Sequence, residues 1–145
     1  TALVLSRQSL PITTDGDAVR YGAEIVVESA KAQIVLVGTG SEVSVCVDAA
    51  KLLKDSGVEA SVVSMPSFDR FEMQPSQYRD SVFPANVPVL SVEAGVTFGW
   101  SQYADASVGI DRFGASAPGS TVMSKLGISV QNVVERAQEL MNRSK

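Results

Sequence analysis

The chain of 145 residues contains no histidine and a single cysteine, Cys46. The first absence excludes Ser-His-Asp and Cys-His catalysis within the chain, together with any histidine-ligated metal site. No metal-binding residues are predicted. The second excludes an internal disulfide. Cys46 stands in an apolar run with Val43, Val45, Val47, Ala49 and Ala50, so a buried thiol in a reducing compartment is expected. No apolar stretch reaches the roughly 20 residues of a membrane-spanning helix, and no signal-like segment opens the chain. Twelve basic residues, scattered along the sequence, face sixteen acidic ones for a formal charge of −4. Neither a nucleic-acid surface nor a membrane footprint is expected from that balance, and a small anion would need a local site. The chain is expected to be soluble and cytoplasmic. Lacking an initiating Met and opening in what reads as the middle of a strand, it is expected to be a piece of a longer protein whose chemistry lies elsewhere.

The length suits one domain that buries roughly two thirds of its unfolded surface. Residues 1 to 8 read as a buried strand, and Ser9 to Arg20, rich in Pro, Thr, Asp and Gly, as a polar connector. Tyr21 to Glu28, Gln33 to Thr39, Val58 to Met65, Val87 to Glu93 and Ser107 to Ile110 read as strands. Glu42 to Ser56, Ser76 to Val82 and Phe98 to Ala104 read as helical. In the last helix Val130, Val133, Val134, Ala137, Leu140 and Met141 recur at helical spacing, and Ser129 is its expected N-cap. Met65, Met73, Met123 and Met141 are expected to fill core. Strands alternating with helices imply an α/β fold, with a mainly parallel sheet covered on both faces.

In such a sheet the loops leaving the strand ends share one rim, where ligands usually bind. Gly38-Thr39-Gly40-Ser41, Pro66-Ser67, Glu93-Ala94-Gly95 and Asp111-Arg112-Phe113-Gly114 should meet there. Gly38 to Ser41 enters a helix, so its amides either serve a structural cap or hold an anion. The third glycine of a dinucleotide fingerprint is replaced by Val43, and no P-loop lysine follows. Glu93 reads as a hydrogen-bonded structural carboxylate or a general acid or base. Asp111 and Arg112 would pair with each other, with another domain or with water. Phe98, Trp100, Tyr103 and Phe113 suit either a contact surface or packing between helix and sheet. Arg7, closing the first apolar stretch, offers a guanidinium fork for phosphate or carboxylate, or is a solvated charge.

Taken in order, Ser6-Arg7-Gln8, Gly38-Thr-Gly-Ser-Glu-Val43, Val63-Ser-Met-Pro-Ser67, Val92-Glu-Ala-Gly95 with Phe98-Gly-Trp100, and Gly109-Ile-Asp-Arg-Phe-Gly-Ala-Ser-Ala-Pro118 resemble the C-terminal part of transketolase over essentially the whole chain. The closing Lys125 to Val134 is similar to the family's last helix. The resemblance implies a three-layer α/β/α fold whose mixed five-stranded sheet has its first strand, Tyr21 to Glu28, running against the others. It assigns residues 1 to 19 to the end of a preceding pyrimidine-binding domain plus linker, and 20 to 145 to the C-terminal domain. It also implies a two-carbon ketol transferase of the pentose phosphate pathway, working on sugar phosphates as a homodimer with thiamine diphosphate and Mg2+. In that reading the cofactor and metal are held by the preceding domains. This domain is noncatalytic, Arg7 grips the substrate phosphate, and Glu93, Phe98, Trp100, Asp111 and Phe113 are candidate interface residues. The alternative is a regulatory module binding a small molecule or nucleotide at Gly38 to Ser41.

Overall fold

The computed structural model describes residues 8–143, in which a five-stranded sheet is flanked by helices on both faces. Strands β1 (Glu24–Val27), β2 (Ile34–Gly38), β3 (Ala60–Ser64), β4 (Val89–Val92) and β5 (Ala106–Val108) lie in the order β1-β3-β2-β4-β5. β2, β3, β4 and β5 pair in parallel, and β1 runs antiparallel to β3. The mixed sheet and its reversed first strand agree with the expectation.

The central strands are near-continuous apolar runs because both of their faces are covered. Every residue of β2, β3 and β4 is buried. Alternation along each strand then divides the interior into two cores. Ile34, Leu36, Val62, Leu90 and Val92 pack beneath α2 (Glu42–Asp55) and α6 (Val130–Arg143). Val35, Val37, Val63 and Val89 face Phe71 of α3 (Phe68–Glu72), Val82 of α4 (Ser76–Val82) and Trp100. Helix α6 buries Val133, Val134, Ala137 and Leu140, with Val130 and Met141 packed at the edge of the same core. Ser129 Oγ accepts from the Asn132 amide at 3.3 Å, the N-cap bond expected of it.

Several elements differ from the sequence reading. The expected connector Ser9 to Arg20 ends in a short helix, α1 (Asp17–Tyr21), bounded by Gly16 and Gly22, both with left-handed backbone. The strand expected from Tyr21 therefore starts only at Glu24. Helices α3 and α5 (Gly119–Lys125) were not expected, and Phe98–Gln102 is a 3-10 turn rather than an α-helix. Of the four methionines, Met65 is buried and Met123 and Met141 lie against the core. Met73 is 73% exposed, because it follows the last residue of α3, outside both cores.

Candidate functional site

Chain order reverses about β2, whose successor β3 lies on one side and β4 on the other. In open α/β sheets the crevice outside such a reversal is the preferred ligand site. The four marked loops do meet there. The Met65 amide donates to the Gly38 carbonyl at 2.9 Å, and the Ile110 amide to the Gly95 carbonyl at 2.8 Å. A cleft of about 390 Å³ opens between the first two loops, lined by Thr39, Met65, Pro66, Ser67, Phe68 and Asp69.

Glu93 anchors this rim. Its half-buried carboxylate accepts from Thr39 Oγ1 at 2.6 Å, which makes it the hydrogen-bonded carboxylate of the first reading. Burial pushes its carboxyl above the ordinary range; the Thr39 bond draws it back and the Glu42 charge raises it further. Glu42, buried at the first position of α2, accepts from Ser41 Oγ at 2.8 Å. Ser41 therefore does not cap α2 with its side chain, as expected of a serine there. Its backbone is already helical, and its hydroxyl turns to the neighbouring carboxylate. Two carboxylates beside these amides work against an anion at Gly38, Thr39, Gly40 and Ser41.

Asp111 pairs with neither Arg112 nor water alone. Its carboxylate accepts from the Thr97 amide at 2.8 Å and from Thr97 Oγ1 at 2.9 Å, which holds its carboxyl below the usual range. The clamp fastens the loop after β5 to the loop after β4. Gly109 is required within it, since a Cβ there would stand 2.4 Å from Thr97 Cγ2 and 3.0 Å from the Gly95 carbonyl oxygen.

The aromatic residues divide. Trp100 is buried edge-on against Phe68 at 4.9 Å, and Tyr103 packs with Phe68, Phe71 and Phe83. Tyr103 also donates to Glu72 at 2.6 Å; that carboxylate accepts from Arg79 and Gln102 as well, and together with burial it pushes the phenol upward. Sequence reasoning missed Glu72 because it lies in a five-residue helix with no periodic signature. Phe98 and Phe113 are instead 86% and 96% exposed.

Cys46 is buried beneath the rim, and its thiol is pushed well above the ordinary range by burial, with the Glu42 and Glu93 charges adding to it. Among the described residues, no group of three or more His, Cys, Asp or Glu side chains is placed to hold a metal ion. Among the described residues also, no helix is long and apolar enough to cross a membrane. Arg7 lies outside the described residues.

Comparison with known proteins gives a consistent answer. Residues 22–129 match the family model of the transketolase-like TK C-terminal domain. A transketolase of Halalkalibacterium halodurans is 45% identical over 97% of this chain, which spans 23% of that relative. The solved transketolase from Leishmania mexicana superposes with a TM-score of 0.87 at 48% identity, covering 91% of this chain and 20% of that one. A Pichia stipitis transketolase solved with sedoheptulose 7-phosphate gives a TM-score of 0.87 at 39% identity, covering 90% of this chain and 19% of its own. The chain thus spans less than a quarter of each of these three relatives, and by its family match and its fold it belongs to the transketolase family as a C-terminal domain.

Proposed function

We propose that this chain is the C-terminal portion of a transketolase, which moves a two-carbon ketol unit from a ketose phosphate to an aldose phosphate. The match across residues 22–129 carries the reading. The sugar phosphate bound by the Pichia stipitis relative supports the substrate class. Thiamine diphosphate supplies the electron sink for such chemistry when bound. In this reading the cofactor and its Mg2+ are held by the preceding domains of a cytoplasmic homodimer, which accords with the described residues offering no group of three or more His, Cys, Asp or Glu side chains placed for a metal ion. The domain itself is noncatalytic. It completes the subunit through its rim, where Glu93, Trp100 and Asp111 build the platform and Phe98 and Phe113 project from it.

The residues up to Gly16 comprise the end of a preceding pyrimidine-binding domain and its linker. Helix α1 belongs to the present domain, because it packs on α3 and β1. Arg7, at the end of that preceding domain, grips the phosphate of the sugar. A charge-assisted hydrogen bond of about 1.5 to 3 kcal/mol corresponds to a loss of about 10- to 150-fold in kcat/KM for Arg7→Gln in the complete enzyme. The phosphate lies away from the reacting carbonyl, so the loss should appear chiefly in KM and spare unphosphorylated ketoses. Equal losses for both substrate types would assign Arg7 to the fold instead.

A further inference from the structure

A second concavity lies at the end of the sheet opposite the rim. β1 runs antiparallel, with its first residue, Glu24, paired to Ser64 at the end of β3, so the chain enters the sheet from the rim and not from this end. Where β2, β3 and β4 begin, a groove of about 410 Å³ separates the turns that start these strands from the last turns of α6. Gln33 stands before β2, Val58 before β3, Asn86 and Pro88 before β4, while Gln138, Met141 and Asn142 come from α6. A volume of this size is within the range of small-molecule sites.

The polar lining is of one chemical kind. Four carboxamides from three separate stretches of chain form it, and no ionisable side chain joins them. Gln138 and Asn142 are four residues apart and so share one face of α6. Gln33 Oε1 accepts from the Glu59 amide at 3.2 Å, which leaves the Gln33 NH2 group as a donor. The side chains of Asn86, Gln138 and Asn142 have no hydrogen-bond partner among the described residues. A carboxamide both donates and accepts. Its complement is a hydroxyl, which also does both, and the three apolar side chains in the lining suit the C–H faces between hydroxyls. Anions are disfavoured twice, because no cation lines the groove and the C-terminal end of α6 carries the negative end of its dipole. A protein partner is disfavoured as well, since none of the exposed large hydrophobics that could anchor it belongs to the lining.

We propose that this groove binds a neutral polyhydroxylated small molecule, an unphosphorylated sugar or polyol, through the carboxamides of Gln33, Asn86, Gln138 and Asn142. The site is independent of the transketolase reading, which uses none of these residues. Its preference is the reverse of a sugar-phosphate site built around Arg7, because it offers hydrogen bonds without a counter-charge. About a dozen non-hydrogen atoms held by neutral hydrogen bonds correspond to a dissociation constant of about 1 to 10 mM. Occupancy therefore follows the bulk concentration of such compounds and does not capture traces of them.

The test uses the complete enzyme and saturation-transfer difference NMR, which reads the protons of the added compound. Glucose, sorbitol and glucose 6-phosphate are the probes, each titrated to about 30 mM, past the expected dissociation constant. A melting temperature would mislead, because polyols also raise it by exclusion from protein surfaces. Glucose or sorbitol should receive saturation from the parent enzyme, and the stronger of the two tells a ring from an open chain. The double substitution Gln138→Leu with Asn142→Leu removes two of the four carboxamides and should weaken that binding about 5- to 150-fold. Should the helix variant fail to fold, Asn86→Ala gives the same comparison from a turn outside α6, with a loss of about 2- to 10-fold. No transfer to either neutral probe would overturn the proposal. Transfer that survives the substitutions unchanged would overturn it too, by placing the compound at another site. A glucose 6-phosphate signal as strong as that of glucose, and equally lost in the variants, would overturn the preference for a neutral ligand.

Discussion

Thr39 Oγ1 donates to Glu93 Oε2 at 2.6 Å, joining the loop after the central strand to the end of β4 across 54 positions of sequence. This bond favours the charged carboxylate, against the burial that raises it. A carboxyl raised in the folded state holds its proton more firmly there than in the unfolded chain. The stability tied to that proton is therefore present below the ordinary glutamate range and is lost as pH rises through the folded value. In Thr39→Val the opposing bond is gone and the carboxyl climbs further. The deficit relative to the parent should therefore be small in acid and reach about 1 to 2 kcal/mol near neutrality, given that Glu93 is only half buried. Urea denaturation across that range checks it. A deficit independent of pH would mean that Thr39 stabilises both protonation states alike.

Cys46 supplies an independent readout of the same change. The thiol is wholly buried and held protonated by burial and two nearby carboxylates, so it should react with a thiol reagent only through opening of the domain. Where opening and closing are fast relative to labelling, the rate follows the population of the open form. Thr39→Val, costing about 1 to 2 kcal/mol near neutrality, should then accelerate labelling roughly 5- to 30-fold. A rate unchanged by the substitution would show that Cys46 is reached by local motion of α2.

The long elements were legible because burial writes itself into composition. β2 and β3 are covered on both faces, so Ile34 to Gly38 and Ala60 to Ser64 carry little charge or punctuation. α6 has one wet and one dry face, so its period shows over fourteen residues. Short helices give no such signal. α3 has five residues and a single buried side chain, Phe71, and its start is marked only by Ser67 Oγ accepting from the Arg70 amide. The rim was legible as four loops, but its pairings were not. Nothing local to Asp111 points to Thr97 rather than Arg112, and nothing local to Ser41 tells a cap from a donor to Glu42. Those choices belong to the strand order, which brings distant loops together only after the sheet has formed.

Gly22 offers a sharper test of how the rim is supported. Its backbone is left-handed, with φ of 90°, where it ends α1 and turns the chain into β1. An added Cβ would stand 2.2 Å from the Phe71 amide nitrogen, 2.5 Å from the Ser67 carbonyl oxygen and 2.8 Å from the Arg70 carbonyl carbon. All three are backbone atoms of α3 or its cap, so no side chain can rotate away. Gly22→Ala must displace α3, draw Phe71 out of its core and shift Phe68 and Asp69 at the cleft. Gly16 is the control, since it too is left-handed, at φ of 104°, yet an added Cβ would meet nothing within 4 Å. Gly16→Ala should cost only the conformational strain of about 1 to 2 kcal/mol. Gly22→Ala adds the clash and should exceed about 3 kcal/mol, in the range of core disruption. Denaturant midpoints for the pair measure the difference. Equal costs would mean that α3 yields freely, and that Gly22 is required for its backbone angle alone.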